Sequence, residues 1–87
     1  MKKAAALSYK KSDNAPKLVA KGAGEIAERI IQIAKEEGIE IVEDRALVEV
    51  LSKLELESEI PPELYEAVAK ILAYIYRKKK SYKGVLE

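Results

Sequence analysis

Residues 18–42, LVAKGAGEIAERIIQIAKEEGIEIV, read as strand, helix, strand, and this reading decides the fold class. Leu18-Val19-Ala20 is a short apolar run flanked by Lys17 and Lys21, and Gly22 and Gly24 then punctuate the chain. From Glu25 the apolar positions Ile26, Ala27, Ile30, Ile31, Ile33 and Ala34 recur at intervals of three and four, the period of an amphipathic helix. Gly38, directly after Lys35-Glu36-Glu37, is the natural stop, because glycine enters the left-handed conformation that ends helices without a steric penalty. Ile39-Glu40-Ile41-Val42-Glu43 alternates and is β-branched, which suits a strand. A strand, a crossover helix and a second strand predict a right-handed unit with the two strands as parallel neighbours.

Working outward, Ala4 to Tyr9 forms another short apolar run, ended by the turn-forming Lys10-Lys11-Ser12-Asp13-Asn14 and then Pro16. On the other side, Asp44 can cap a helix whose stripe is Leu47, Val50, Leu51 and Leu54. Glu55 to Ile60 is acidic and irregular. Pro61-Pro62 sets the entry to a last helix, since proline is tolerated in the first turn. Leu64, Val68, Ile71, Leu72 and Ile75 line its inner face, with Tyr65 and Tyr76 extending it, and Arg77-Lys78-Lys79-Lys80 suits the negative end of the helix dipole. The expectation is one α/β domain over residues 1–87, with a small mixed sheet of about three to four short strands packed by about three to four helices. The order is β-β-α-β-α-α, and residues 77–87 form a basic tail.

Eighty-seven residues bound the chain to one small core, and a hydrophobic share of 48% argues for a folded domain although 36% of residues are charged. With no Cys and no His, disulfides, Cys/His zinc sites, thiol nucleophiles and imidazole-dependent triads are excluded. No apolar run approaches the roughly 20 residues that span a bilayer. The net charge of +1 hides an asymmetry: residues 1–21 carry +5, residues 22–66 carry −9 and residues 67–87 carry +5. These ends either fold into a mixed surface or present cations to an acidic partner.

Individual motifs yield no chemistry. Lys21-Gly22-Ala23-Gly24 ahead of a helix has phosphate-loop ingredients, but the Walker spacing is absent and Ala27 stands where a dinucleotide loop needs a third glycine, so a tight strand-to-helix turn is the better reading. Glu36, Glu37, Glu40, Glu43 and Asp44 lack the spacing of a cation site and read as a solvated acidic face. Arg77 to Lys80 with Tyr74, Tyr76 and Tyr82 has cations for phosphates and rings for stacking, which makes a nucleic-acid-binding module with basic termini the alternative function. No catalytic, cofactor-binding or metal-ligating residue is expected, and the chain is expected not to be an enzyme.

Four segments carry a resemblance to a known family: Ala4-Ala5-Ala6-Leu7-Ser8-Tyr9, Ala15-Pro16-Lys17-Leu18-Val19-Ala20-Lys21-Gly22-Ala23, Ile41-Val42-Glu43-Asp44, and Ile60-Pro61-Pro62-Glu63-Leu64-Tyr65-Glu66-Ala67-Val68-Ala69 through Tyr76. In order and spacing, over about residues 4–76, the chain resembles the C-terminal domain of the FlhB/YscU type III secretion export-switch proteins. The resemblance implies a small sheet wrapped by helices. The best-known members carry transmembrane helices ahead of this domain and cleave themselves between Asn and Pro of an Asn-Pro-Thr-His motif. No position here matches that motif, and the single Asn14 precedes Ala15, so neither cleavage nor a catalytic residue carries over.

The resulting expectation is a free-standing, cytoplasmic, non-cleaving monomer, peripheral at the export gate. It would act by contacts with export-apparatus proteins, the membrane-anchored export-switch protein or export substrates, and bias substrate switching. The resemblance also implies that the strand from Ala4 to Tyr9 lacks its upstream neighbour. Ala5, Leu7 and Tyr9 are therefore expected to form an open partner-binding edge, which the lysines at both ends could instead guard.

Overall fold

The computed structural model describes residues 1–87. In chain order the elements are β1 (Lys3–Ser8), β2 (Lys17–Ala23), α1 (Glu25–Glu37), β3 (Glu40–Val42), α2 (Arg45–Leu51), a 3-10 turn (Pro62–Leu64), α3 (Tyr65–Lys79) and β4 (Lys83–Leu86). The expected α/β class and the order β-β-α-β-α-α are present, followed by one further strand. No helix is long and apolar enough to cross a membrane.

The local signals work as their chemistry demands. Gly38 ends α1 in the left-handed conformation, at φ 71° and ψ 24°, and its amide donates back to Ala34 and Lys35 carbonyls. Asp44 caps α2 by accepting a hydrogen bond from the Leu47 amide at 3.0 Å. Gly24, at φ 63°, makes the turn from β2 into α1, and its amide donates to the Lys2 carbonyl at 2.7 Å. That amide is engaged by backbone, consistent with a structural turn rather than an anion cradle.

Alternation along β1 builds a three-layer domain. Ala4 faces α1 and packs with Ala27, Ile31, Ala34 and Val85. Ala5 and Leu7 face the other way and join Leu18, Leu47, Leu51, Val68, Leu72 and Leu86 in the larger core beneath α2 and α3. The small alanines on both faces of β1 let the helical layers approach the sheet closely.

Three expectations need correction. The sheet order is β2-β1-β4-β3, so β2 and β3 run parallel but are separated by two strands rather than being neighbours. Local hairpin pairing gives β2 to β1, with a bulge at Val19 between the Ala6–Ala20 and Leu7–Leu18 pairs. Its far side is occupied at one end by residues 57–60, through Leu18 N to Ser58 O and Glu57 N to Leu18 O. Second, the expected basic tail contains a strand: β4 lies in the middle of the sheet, antiparallel to β1 and parallel to β3. Third, β1 is not an open edge. It pairs with β2 through Lys3–Ser8 and with β4 through Ala5–Ser8, so the backbone groups of Ala5 and Leu7 are committed on both sides. The chain's own last residues occupy the lane that was expected to be empty.

Candidate protein-docking groove

The apolar stripe of α3 is wider than the core needs. Val68, Leu72 and Ile75 are buried, while Tyr65, Ala69 and Ala73, one step round the helix and spaced by four, stay exposed. Opposite them runs the connection from β1 to β2, whose Ala15 is only 3% exposed. Between the two lies a groove of about 390 Å³, with Ala15, Val68 and Leu72 at its bottom, Pro16, Ala69 and Ala73 along its walls, and tyrosines at its ends. Two alanines on the helix and a proline without an amide donor leave a concave, apolar surface with few hydrogen-bonding groups of its own.

The walls are held firmly. Asp13 closes the turn by accepting from the Lys10 amide at 2.9 Å, its own amide donates to the Lys10 carbonyl at 2.9 Å, and Lys17 approaches its carboxylate at 3.8 Å. The Ile60 amide donates to the Pro16 carbonyl at 2.8 Å, tying the loop to the segment that leads into α3. At the aromatic end, the Tyr9 amide donates to the Tyr82 carbonyl at 3.1 Å. The Tyr9 and Tyr82 rings meet edge to face at 5.9 Å, and Tyr82 stacks on Tyr76 at 4.7 Å. The groove is thus preformed rather than assembled on binding.

Of the expected edge residues, Ala5 and Leu7 are buried at 0% and 1% exposure, and only Tyr9 reaches the surface, where it borders the groove. The residues that make the groove were missed as a site because they come from three separate parts of the chain, 9–16, 65–73 and Tyr82. The available signal was the extra apolar column Tyr65, Ala69, Ala73 beside the core stripe. Acidic and other metal-binding side chains form no group of three or more suited to an ion. The one clearly perturbed acid is Glu49, which does not line the groove. A hydrogen bond from Lys3 at 2.9 Å outweighs the opposing effect of desolvation, the next largest influence, and with the smaller contributions of the Lys3, Lys53 and N-terminal charges holds its carboxyl below the ordinary range.

Comparison with known proteins places this geometry. The FlhB HrpN YscU SpaS Family matches residues 1–75. The Bacillus subtilis (strain 168) protein YlqH is 44% identical over 85 residues, covering 97% of this chain and 91% of that protein. The flagellar biosynthetic protein FlhB of Aquifex aeolicus (strain VF5) is 44% identical over 82 residues, but the chain spans only 23% of its length. The crystal structure of the cytoplasmic domain of FlhB from Shewanella putrefaciens superposes with a TM-score of 0.82 at 33% identity, covering 90% of this chain and 65% of that one. The PscU C-terminal domain gives 0.78 at 27% identity, covering 83% and 94%. Sequence and fold agree that this chain belongs to the FlhB/HrpN/YscU/SpaS family.

Proposed function

We propose that the chain serves flagellar or type III protein export in the cytoplasm, as a non-enzymatic module that holds other export proteins by contact and biases which substrates pass. The observation that carries this reading is the preformed apolar groove between α3 and the Tyr9–Pro16 connection, on a domain whose family is that of the export switch. A concave surface with tyrosine ends and few polar groups suits an extended apolar segment of an export-apparatus protein or an export substrate. Family membership supports the setting, and the geometry supports binding rather than chemistry. Self-cleavage is not part of the proposal, because Asn14 is followed by Ala15 and lies beyond β1.

The test is a groove-blocking substitution. Ala69 is exposed, so Ala69→Arg fills the groove without touching the core. Capture of purified export-apparatus and substrate proteins by the wild-type chain should fall at least tenfold with Ala69→Arg, while thermal melting stays unchanged. Equal capture by both proteins would refute the groove as the contact surface.

A further inference from the structure

The end of the sheet at which β1 leaves and β4 enters carries an unusual concentration of positive charge. Ser8 pairs with Lys83, and the Tyr9 amide reaches the Tyr82 carbonyl, so Lys10 and Lys11 stand beside the start of β4. α3 ends at the same place, with Lys80 in a left-handed conformation that turns the chain into β4. Lys10, Lys11, Arg77, Lys78, Lys79, Lys80 and Lys83 are all exposed, and none belongs to the protein's three ion pairs, Lys3–Glu49, Lys17–Asp13 and Lys70–Glu66. Lys10 and Lys83 border one shallow concavity, and Lys79 and Lys83 border a second whose acidic residues are Glu37 and Glu40. Four residues at the C-terminal end of a helix exceed what a helix dipole of about half a charge can use.

Tyrosines are set among these cations. Tyr9, Tyr76 and Tyr82 are 38–40% exposed and pack on one another. Their arrangement separates two kinds of polyanion. Single-stranded nucleic acid needs free ring faces for base stacking. Here the Tyr76 ring carries Tyr82 stacked at 4.7 Å and the Lys80 ammonium at 5.6 Å, and the Tyr74 ring carries Lys78 at 5.6 Å. These contacts already use ring faces of Tyr74, Tyr76 and Tyr82 that a base would need, while each tyrosine stays partly exposed among the lysines. That combination of amphipathic rings and unpaired cations matches the headgroup layer of an anionic bilayer.

We infer that the pole formed by Lys10, Lys11, Arg77–Lys80 and Lys83, with Tyr9, Tyr76 and Tyr82, docks the protein reversibly on an anionic membrane surface. The contact is peripheral, with phosphate headgroups as the ligand, and it places the apolar groove, which shares Tyr9 and Tyr82, beside the membrane. It does not depend on the groove's own occupant.

The test is sedimentation of the intact protein with vesicles of phosphatidylcholine alone or mixed with phosphatidylglycerol. Binding should require phosphatidylglycerol and disappear as salt rises from about 0.05 to 0.5 M. Each cation near such a surface is worth about a fivefold change in partitioning, so Lys10→Gln, Lys80→Gln and Lys83→Gln together should weaken binding roughly a hundredfold. The same change at Arg29, Lys53 and Lys70, away from the pole, should do far less, and melting curves should confirm that both triple variants are folded. No binding to the mixed vesicles, equal binding to phosphatidylcholine alone, or equal losses in the two variants would overturn the inference. Preferential binding of a single-stranded oligonucleotide over the vesicles at equal salt, lost in the pole variant, would overturn it in favour of nucleic acid.

Discussion

Ile75 of α3 lies directly on Gly84 of β4, so closely that a β-carbon at position 84 would occupy the space of the Ile75 side chain. Ile75 has no exposed surface and cannot swing away, which makes this a packing requirement rather than a conformational one. Gly84→Ala should therefore destabilise the domain by about 1–3 kcal/mol, the usual range for overpacking. An unchanged urea midpoint would mean that β4 does not run under α3 in solution.

How far the sequence discloses this structure depends on the distance over which each signal acts. Gly38, Asp44 and Pro62 act within a turn of themselves, and all three punctuate the chain as expected. The stripes of α1 and α3 were legible because their periodicity persists for three or four turns. β4 was not, because Lys83-Gly84-Val85-Leu86 offers two apolar residues beside a glycine, after a run of lysines that reads as a frayed helix end. The open-edge expectation for Ala5, Leu7 and Tyr9 came from the resemblance, and without β4 it had nothing to oppose it, since nothing local tells β1 that its second neighbour arrives from the far end of the chain. The groove was hidden for the same reason: Pro16 and Ala73 become neighbours only through tertiary packing.

The core-facing residues of α3 should separate by burial. Leu72 and Ile75 are at 5% and 0% exposure, whereas Ile71 is half-buried against the cluster that holds Leu72. Ile75→Ala and Leu72→Ala should each cost about 2–5 kcal/mol. Ile71→Ala should cost less than either. Lys79→Ala, on an exposed position, should fall within about 0.5 kcal/mol of wild type. Urea denaturation of the four variants gives the ranking directly, and a larger loss at Ile71 than at Ile75 would show that the helix is rotated relative to this packing.

The Lys3–Glu49 contact joins β1 to α2 at 2.9 Å across the surface. Because its folded-state pKa is lowered, Glu49 contributes stability that is present above the unfolded pKa and is lost as pH falls through the folded one. Glu49→Gln should lower the melting temperature slightly near neutral pH and make no difference once the carboxyl is protonated in both states. High salt should shrink the neutral-pH difference, since the pair is exposed. A difference between wild type and variant that persists unchanged into acid would assign the effect to something other than this ionisation.

Removing Lys83 to Glu87 should do more than trim an end. β3 is held to the sheet through β4 alone, by the pairs Glu40–Gly84, Ile41–Val85 and Val42–Leu86. The hydrogen bonds from Glu87 N to Val42 O and from Asp44 N to Glu87 O extend that attachment to the cap of α2. Deletion also strips Val85 and Leu86 from the two cores on opposite faces of the sheet. Burial of two such side chains is worth about 1.5–3 kcal/mol each. Together with the lost ladder on both flanks, that is a large part of the roughly 5–15 kcal/mol that holds a domain folded. The truncated chain should therefore show a broad, early thermal transition by circular dichroism and collapsed amide dispersion by NMR. A synthetic peptide covering residues 81–87 should restore dispersion at Ala5, Leu7 and Ile41 when added in excess, because the lane it enters has strand partners on both sides. A truncated chain that melts as sharply and as late as the intact protein would show that the last residues do not form an inner strand of the sheet.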